Sequence, residues 1–150
     1  MDDLEIRAAT ADDLPAIVAM LADDPLGVQR ESPDDLTPYR NALERLSADP
    51  HQHVVVAVRE GRVIGTLQLT IIPGLSHKGA TRALIEAVRI HADERGSGLG
   101  SRLIEWAIDT SRQLGCQMVQ LTSDKTRTDA HRFYERLGFT ASHEGFKLRL

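Results

Sequence analysis

Residues 83–106, ALIEAVRIHADERGSGLGSRLIEW, place an apolar run directly before a glycine-rich turn and a helix. The run, residues 83–90, is rich in β-branched residues and is typical of a buried strand. Beyond the turn the apolar residues recur three or four positions apart, which is the spacing of a helix with one buried face. We therefore predict a strand, a tight loop and a helix, around which the rest of the chain is arranged.

The loop between this strand and this helix has the layout of a phosphate-binding site. The first turn of a helix carries N–H groups without an intrahelical acceptor, and it lies at the positive end of the helix dipole. A bound phosphate accepts hydrogen bonds from these N–H groups and is attracted by the dipole. Gly96, Gly98 and Gly100 leave the backbone without a Cβ that would keep an anion away. The dinucleotide-binding pattern G-x-G-x-x-G fails at Ser101, and no glycine is followed by Lys and then Ser or Thr, as a P-loop requires.

The composition is that of an ordinary globular domain. The chain has 150 residues, of which 27% are charged and 41% hydrophobic, so we predict one domain over residues 1–150. A net charge of −4 provides no general attraction to nucleic acid or to anionic membranes. No apolar run is long enough to cross a bilayer, and the first ten residues lack the features of a secretion signal. We therefore expect a cytoplasmic protein.

The sequence predicts neither a disulfide nor a metal site. Cys116 is the only cysteine, and we interpret it as a small buried residue rather than a nucleophile because no base is evident beside it. His51 and His53 lie two residues apart, but two histidines without a third ligand are more typical of a surface than of a metal centre.

Local patterns predict the order β-α-α-β-β-β-α-β-α-β-β along the chain. Residues 27–36 are predicted to form a loop, which ends at a helix capped by Thr37 with Pro38 at its first position. Two strands form an antiparallel hairpin that turns at residues 60–62, and residues 73–79 form a second loop.

The central helix is predicted to end at Gly115 and to return the chain to a short strand, residues 118–122, parallel to the central strand. A last helix ends at Gly138, and a final pair of short strands over residues 139–150 turns near residues 144–145. The result is a mixed α/β sheet with one parallel crossover. The residues of the central helix predicted to face inward are Leu99, Leu103, Trp106, Ala107 and Leu114.

Two motifs resemble those of one enzyme family, the GCN5-related N-acetyltransferases (GNAT). Arg95-x-x-Gly98-x-Gly100 is similar to the acyl-CoA loop of that family. Residues 124–139 are similar to its next motif, with the pair Phe133-Tyr134 and a closing Gly-Phe. The two motifs occur in the family's order, and the predicted elements follow that of its fold over essentially the whole chain. The resemblance implies the GNAT acyl-CoA N-acyltransferase fold, a mixed, α+β-like α/β fold whose central sheet has splayed parallel strands and is flanked by helices.

The resemblance also implies a reaction. GNAT enzymes transfer an acetyl group from acetyl-CoA to a primary amine of a small molecule or a peptide, by direct attack in a ternary complex. The implied partners are an acyl-CoA and an amine acceptor, with no nucleic acid or membrane, and dimers are common in the family, so a homodimer is also compatible. The alternative from another class is a catalytically silent acyl-CoA-binding sensor or assembly module. A nucleotide-binding α/β protein is a distant third hypothesis.

By resemblance, the cofactor is bound by the central strand, the loop and the second motif. The backbone at Val88, Arg89 and Ile90 pairs with the pantetheine arm where the parallel strands part. Asp124 stands where the family commonly has Asn, so its contact is either rearranged or directed at the amine. Arg127 either supports the CoA end or forms a surface ion pair with Asp129 or another nearby carboxylate. The groups implied to hold the diphosphate are Arg95 and the backbone of Gly96, Ser97, Gly98, Leu99, Gly100 and Ser101.

Tyr134 is the implied general acid, because the family's Phe-Tyr pair places a phenol at the departing sulfur and a phenol ordinarily keeps its proton at neutral pH. A core tyrosine at helical spacing is the other interpretation.

Glu86 is the candidate general base. It shares strand parity with Leu84, Val88 and Ile90, so partial burial among apolar neighbours would raise its pKa, and similar residues act as base in several GNAT members. An ion pair with Arg82 or Arg89, or a bulge that turns the side chain elsewhere, is the open alternative. The weaker candidates for the base are His91, His143 and Glu144.

The acceptor is expected to lie among three loops, residues 24–36, 73–79 and 143–145. The acidic residues Asp23, Asp24, Glu31, Asp34 and Asp35 favour a cationic amine, and a solvated loop is the alternative explanation for them.

Overall fold

The computed structural model describes residues 3–150, which form five strands and six helices. No helix among these residues combines the length and the hydropathy of a membrane span. The start of the predicted domain, Met1 and Asp2, lies outside the described residues. The strands are β1 (Glu5–Ala8), β2 (Gln52–Arg59), β3 (Arg62–Ile72), β4 (Arg82–Ile90) and β5 (Met118–Leu121), and the helices are α1 (Leu14–Ala22), α2 (Gly27–Arg30), α3 (Thr37–Ser47), α4 (Ser76–Gly79), α5 (Leu99–Gln113) and α6 (Thr128–Arg136).

The chain divides into two compact units, one ending at Gln120 and one spanning Leu121–Leu150.

The first unit is built on a sheet in the order β1-β2-β3-β4-β5, of which the first four strands are antiparallel neighbours. Arg59 pairs with Arg62, so β2 and β3 are joined by the two residues between them, Glu60 and Gly61. Both have positive φ, 52° and 74°, as a tight hairpin turn requires. Because α5 carries the chain from β4 to β5, the sheet is mixed, and the predicted fold class is confirmed.

Helix α5 packs closely against one face of the sheet. Leu103, Ile104 and Ala107 are buried, and a Cβ on Gly65 of β3 would lie 2.9 Å from Cδ1 of Leu103. Glycine at position 65 therefore permits the close approach of helix and strand. The predicted inward positions of Leu99, Leu103 and Ala107 are confirmed. Trp106 is half-buried.

The prediction for Leu114 was wrong, because the helix ends one residue earlier and the Leu114 side chain is 48% exposed. Ser111 is buried in its place on this face. Ser111 is a polar residue at a buried position. Its hydroxyl donates to the Ala107 carbonyl at 2.6 Å, so the buried hydroxyl has a hydrogen-bond partner.

The start of α1 is stabilised by a buried carboxylate. The chain enters the helix through a 3-10 turn, Ala11–Asp13, and Asp13 accepts the Thr10 backbone N–H at 2.8 Å. The Arg7 guanidinium of β1 donates to both Asp13 oxygens, at 2.8 and 3.0 Å. This bidentate pair links β1 to α1.

Stability is expected to fall in acid through Asp13. The hydrogen bonds from Arg7 hold the pKa of this carboxyl below its usual value. A carboxyl whose pKa is lowered on folding contributes stability that is complete above its unfolded pKa, about 3.9, and is lost as the pH falls through the folded pKa. The change Asp13→Asn is therefore expected to lower the free energy of unfolding by about 2 kcal/mol at neutral pH. It should also flatten the pH dependence below about pH 4.

Urea unfolding at a series of pH values measures both effects. Asp12→Asn is the matched control, because Asp12 is exposed in the same turn and its loss should change stability by less than about 0.5 kcal/mol. An acid transition that is as steep in Asp13→Asn as in the unchanged protein would contradict the assignment.

The predicted loop over residues 27–36 is in part a helix. Gly27–Arg30 forms one turn, α2, because the Asp24 side chain accepts the Gly27 N–H at 2.5 Å and the Asp24 carbonyl accepts the Val28 N–H at 3.0 Å. Gly27 is buried against the end of α1, where a Cβ would clash with the Leu21 carbonyl.

Helix α3 begins one residue earlier than predicted. Thr37 is its first residue rather than its cap, Pro38 is the second, and the Asp35 side chain accepts the Thr37 N–H at 3.1 Å. Asp35 thus performs the capping that was expected of Thr37.

The predicted loop over residues 73–79 contains a single tight turn, α4. The Gly79 N–H donates to the Leu75 carbonyl at 3.0 Å, but His77, Lys78 and Gly79 have φ of 55°, 63° and 76°. The turn is therefore left-handed at its centre, a conformation that L-residues rarely adopt.

The second unit contains α6 and an extended tail. Gly138 has φ of 100° and ends the helix as predicted. The prediction of two strands over residues 139–150 was wrong, because no strand is formed there, and Phe146, Leu148 and Leu150 are exposed. Their alternation has the period of a strand, but a strand forms only where another one pairs with it.

Candidate active site

The loop between β4 and α5 is held in a conformation that only glycine adopts readily. It begins with a 3-10 turn, Ala92–Glu94, after which Gly96 and Gly98 have φ of 84° and 82°. Ser97 lies between them and donates from its N–H and its hydroxyl to the Glu94 carbonyl, at 3.2 and 2.6 Å. Glycine is required at positions 96 and 98 by the backbone angle itself.

The start of α5 presents a row of backbone donors. Gly98 is the residue that precedes the helix, and the first amide to return to it is that of Arg102, at 3.2 Å. The N–H groups of Leu99, Gly100 and Ser101 therefore belong to the first turn, where no intrahelical acceptor is available. The space above the loop is open, because a Cβ built on Gly96 or on Gly98 would meet no atom within 4 Å.

Arg95 adds a positive charge beside these amides. Its Nη2 lies 3.3 Å from Oδ2 of Asp23, and both side chains are 58% exposed. An ion pair this exposed contributes little to stability, so an anionic ligand could replace the carboxylate at small cost.

The predicted CoA site is tested by replacing Gly98 with alanine, which is expected to weaken CoA binding by about tenfold because the new Cβ enters the space that the anion would occupy. It should also destabilise the fold by about 1 kcal/mol, the cost of positive φ in an L-residue. Titration calorimetry and urea unfolding measure the two effects.

Gly115→Ala is the matched control for this change. Gly115 ends the same helix with φ of 83° and equally open surroundings, so it should share the loss of stability without the loss of CoA affinity. Equal CoA affinities for the two variants would contradict an anion site at Gly98.

Strand β4 contains a bulge beside this loop. Thr66 of β3 pairs with Arg89 and Gln68 pairs with Glu86, so Ala87 and Val88 together stand opposite Leu67. Ala87 has φ of 54°, and the extra residue bends the strand and reverses the alternation of its side chains.

The predicted parity of Glu86 is therefore confirmed for Leu84 and was wrong for Val88 and Ile90. Residues that pair across antiparallel strands share a face, and so do alternate residues of one strand, so Glu86 lies on the same face as Leu84, Thr66 and Arg89. Val88 and Ile90 lie beyond the bulge and do not share this parity.

Glu86 is exposed rather than partly buried, and within residues 3–150 it forms no ion pair with Arg82 or Arg89. Its carboxylate is thus accessible to a ligand on this face of the sheet, which is the face that α1 and α3 cover further along.

The Arg89 side chain is engaged by another carboxylate. Its Nη2 lies 3.2 Å from Oδ2 of Asp24, in the turn after α1, and its Nη1 donates to the Val88 carbonyl at 2.9 Å. The pKa of Asp24 is held below its usual value, first by the Gly27 N–H and also by the Arg89 charge. Asp23 and Asp24 thus connect one turn to the glycine loop and to β4.

Strands β4 and β5 are joined at their beginnings. The Gln117 N–H, just before β5, donates to the Thr81 carbonyl, just before β4, at 2.9 Å. Strand β4 has nine residues and β5 has four, so residues 86–90 of β4 extend past the level at which β5 ends. Strand-like hydrogen-bonding groups on that side of β4 are available to a ligand.

A cavity of about 170 Å³ lies on the Glu86 face of the sheet. Gln68 and Ala87, the neighbours of Glu86 across and along the strands, form part of its wall. The Tyr39 hydroxyl donates to Glu31 at 2.9 Å and accepts the Ser32 N–H at 2.8 Å, which ties the loop before α3 to the cavity wall. The other residues that line the cavity are mostly apolar: Leu14, Ile17, Leu21, Ala42, Leu43, Leu46, Val54, Thr66 and Leu67.

In the second unit, Tyr134 is packed between two aromatic rings. The Phe133 ring lies edge-on at 5.2 Å between centroids, and the Phe139 ring at 5.9 Å. The positive φ of Gly138 turns the chain back, so the Phe139 N–H donates to the Tyr134 carbonyl at 3.1 Å. The Phe-Tyr and Gly-Phe pairs of the motif are thus one cluster that fixes the tyrosine ring.

Asp124 organises the turn that leads into α6. Its Oδ1 accepts the hydroxyl and the N–H of Thr126, at 2.6 and 2.9 Å, and these bonds hold the pKa of Asp124 below its usual value. Arg127 is exposed immediately before the helix. Asp129 pairs with Arg132, so the alternative ion pair between Arg127 and Asp129 is not formed.

The model of the acetyltransferase (GNAT) family matches residues 14–139, which include the loop, the bulged strand and the aromatic cluster. The chain belongs to the GNAT family. It is therefore an N-acetyltransferase, and the predicted family, the enzyme class and the transfer of an acetyl group to an amine are confirmed.

Two relatives of this GNAT protein are named N-acetyltransferases, and a similar solved structure has another name. An aminoalkylphosphonate N-acetyltransferase of Salmonella typhimurium is 31% identical over 142 residues, 95% of this chain and 88% of the relative. A glucosamine 6-phosphate N-acetyltransferase of Trypanosoma brucei brucei is 37% identical over 90 residues, 60% and 59% of the two chains. A crystal structure described as a transcriptional regulator from Bacillus halodurans C-125 is 45% identical, with a TM-score of 0.94 over 98% of this chain and 99% of the other.

The weaker candidates for the base are committed to other contacts in this GNAT protein. His91 caps the 3-10 turn by accepting the Asp93 N–H at 3.1 Å, and Glu144 lies 3.7 Å from Lys125. His143 lies in the exposed tail, 2.7 Å from the Ser142 hydroxyl.

Cys116 is half-buried, and burial raises the pKa of its thiol, which does not favour a nucleophile. Among residues 3–150 there is no group of three or more His, Cys, Asp or Glu side chains that could hold a metal ion.

The contacts of the turn between α1 and α2 were not predicted from the sequence. Asp23 and Asp24 were interpreted only as charge near the acceptor, whereas their carboxylates pair with Arg95 and Arg89. Asp24 before Pro25 was the available signal, because an Asp side chain commonly accepts a backbone N–H at the start of a helical turn.

Proposed function

We propose that this enzyme takes its acetyl group from acetyl-CoA and binds the cofactor's diphosphate at the start of α5. The observation that carries the proposal is the left-handed Gly98, which ends the loop and leaves the first-turn amides facing open space. Those amides and the Arg95 guanidinium together supply backbone donors and positive charge to an anion. A cytoplasmic location and a homodimeric state stay predictions.

The pantetheine arm is assigned to the part of β4 that extends past β5. The arm is a chain of amides, which pairs with a strand in the way an added strand does. Val88, Arg89 and Ile90 lie in this part of β4, next to the loop, so one extended ligand could reach both sites. Because a bulge leaves one residue outside the ladder, a backbone N–H near Val88 is available to the thioester carbonyl as negative charge develops there.

Glu86 is assigned as the general base. An acceptor amine is mostly protonated at neutral pH and must lose a proton before it attacks the thioester. Glu86 is exposed on the face of β4 beside the bulge, and its neighbours Gln68 and Ala87 line the apolar cavity. A carboxylate at this place can accept the proton directly or through one water molecule.

Tyr134 is assigned as the general acid that protonates the departing thiolate. Its ring is fixed by Phe133 and Phe139, so the hydroxyl has a defined direction. A positioned phenol returns the proton to sulfur at the moment that the thioester breaks. Arg127 and Asp124 precede it, and Arg127 is assigned to the CoA phosphates.

A turnover screen with calorimetry tests this function. Acetyl-CoA is offered with polyamines, amino acids, aminoglycosides, aminoalkylphosphonates and peptides, while released thiol is measured and the products are weighed by mass spectrometry. We expect one CoA per chain by calorimetry, no competition from ATP, and an acetyl group on nitrogen in the product. Absence of heat with CoA would overturn the cofactor assignment, and CoA binding without turnover on any amine would support the silent module instead.

A further inference from the structure

Arg89 lies on the acceptor face of β4 and is not explained by the assigned chemistry. Only its backbone is used in cofactor binding, yet its side chain is 81% covered while carrying a charge, since only 19% of it is exposed. The bulge at Ala87 places it on the same face as Glu86, although the two are three residues apart. A charge held here at the cost of desolvation needs a function or a permanent partner.

The contacts of the Arg89 guanidinium leave one of its donors without an acceptor. One Nη group reaches Asp24 and the other the Val88 carbonyl, while the Nε–H is buried without an acceptor. A guanidinium offers five donors in a planar fork that suits the oxygens of a carboxylate, phosphate or phosphonate. Without a ligand, the Arg89 Nε–H therefore has no acceptor. A rearranged contact with an anion would supply one.

Asp24 indicates what kind of group fits beside Arg89. Its carboxylate oxygen lies 3.2 Å from Nη2, so an anionic oxygen is accommodated at this point of the acceptor face. Asp24 also accepts the Gly27 N–H, and this second bond remains to it when another anion takes the guanidinium.

The distance between Arg89 and Glu86 sets the size of the acceptor. Their partners on β3 are Thr66 and Gln68, two positions apart, and such positions are separated by about 7 Å. Because both side chains start from positions this close on one face, a small acceptor with a short linker between its ammonium and its anion fits the two residues. The relatives named for their acceptors act on an aminoalkylphosphonate and on glucosamine 6-phosphate, which are amines that carry a phosphorus oxyanion.

We propose that the acceptor is a small primary amine that carries a phosphonate or phosphate group, and that Arg89 binds this anionic group while Glu86 faces the amine. The proposal rests on the acetyltransferase function above and names the acceptor class for that site. It adds an anionic group to the cationic amine expected from the acidic residues, of which Asp23 and Asp24 are already paired with arginines.

The test compares two acceptors of equal length that differ in charge, 2-aminoethylphosphonate and ethanolamine. In the unchanged enzyme, kcat/KM is expected to be at least about tenfold higher for the phosphonate. In Arg89→Gln the ratio of the two kcat/KM values should fall by about tenfold or more, and Arg89→Lys should keep part of it because the charge is retained without the planar fork. β-Alanine in the same assay separates a general preference for anions from one for phosphorus oxyanions.

Arg112→Gln is the matched control. Arg112 is an exposed arginine of α5 that pairs with Asp109 at 3.1 Å, and its loss should leave the ratio unchanged. An unchanged enzyme without preference for the phosphonate overturns the proposal. So does an Arg89→Gln variant in which both kcat/KM values fall equally, because that result assigns Arg89 a purely positioning role.

A second measurement on the unchanged enzyme does not depend on the variants folding. Ethylphosphonate, which lacks the amine, should inhibit competitively against the acceptor and not against acetyl-CoA. Inhibition competitive with acetyl-CoA alone would place the anion at the glycine loop and overturn the proposal. Failure here is distinct from failure of the acetyltransferase function, since thioester consumption with neutral amines and the heat of CoA binding would persist.

Discussion

Replacing Tyr134 with phenylalanine is expected to lower kcat by about 10² to 10³, within the range that general acid catalysis contributes, with little change in the dissociation constant of acetyl-CoA. The change removes only the hydroxyl, and the ring remains between Phe133 and Phe139. Without a proton donor the sulfur must leave as a free thiolate. Initial rates of thiol release and calorimetry with CoA measure the two quantities.

Phe139→Leu separates the hydroxyl from the packing around it. Phe139 contacts the Tyr134 ring edge-on, so its loss disturbs the aromatic cluster but does not remove the phenol hydroxyl. In Phe139→Leu, kcat should still fall at alkaline pH, as expected when a phenol is the general acid. In Tyr134→Phe this fall should be absent. If Tyr134→Phe retains a large part of the kcat of the unchanged enzyme across the pH range, the acid lies elsewhere.

Replacing Glu86 with glutamine is expected to lower kcat/KM for the amine by about 10² to 10³ at neutral pH. Glutamine keeps the shape of the side chain and removes the acceptor of the proton. The deficit should become smaller as the pH rises, because a growing share of the amine is already deprotonated in solution. The measurement is kcat/KM for one amine between neutral pH and about pH 10.

Glu105→Gln is the matched control for Glu86, because Glu105 is an exposed carboxylate on the outer side of α5. Its pH profile should coincide with that of the unchanged enzyme. A Glu86→Gln deficit that is the same at every pH would indicate a contact in binding rather than a base.

The loop and α5 could be predicted because the information for them is local. Gly96 and Gly98 are needed for their backbone angles, and the apolar residues of α5 repeat with the helical period. The family motifs add the order of these features along the chain, and the family model confirms the assignment. The roles given to individual site residues stay predictions.

The sequence leaves a bulge in β4 open as an alternative but does not show that one forms, and the parity of Glu86 with Val88 and Ile90 depends on it. Ala87 adopts a φ of 54° although alanine, unlike glycine or asparagine, carries no preference for that region. The bulge is imposed by pairing with β3, which is a contact between distant parts of the chain. One added residue is enough to reverse every later position of a strand.

The remaining errors have the same origin. The turn of helix at Gly27–Arg30 depends on the Asp24 side chain and on the close contact of Gly27 with the end of α1. The alternating tail over residues 139–150 has the period of a strand without a strand beside it. In the tail the local pattern was correct and the missing partner strand decided the outcome, whereas at Gly27–Arg30 the local contact of Asp24 and the packing against α1 together form the turn.

Backbone amide NMR during titration with CoA, and separately with pantetheine, tests the central claim most directly. Pantetheine lacks the diphosphate, so we expect it to shift the amide resonances of residues 88–90 alone, whereas CoA should shift these and the amides of residues 96–101. Amides of residues 96–101 that stay unchanged at saturating CoA, or that respond equally to both ligands, would contradict a diphosphate site at the start of α5.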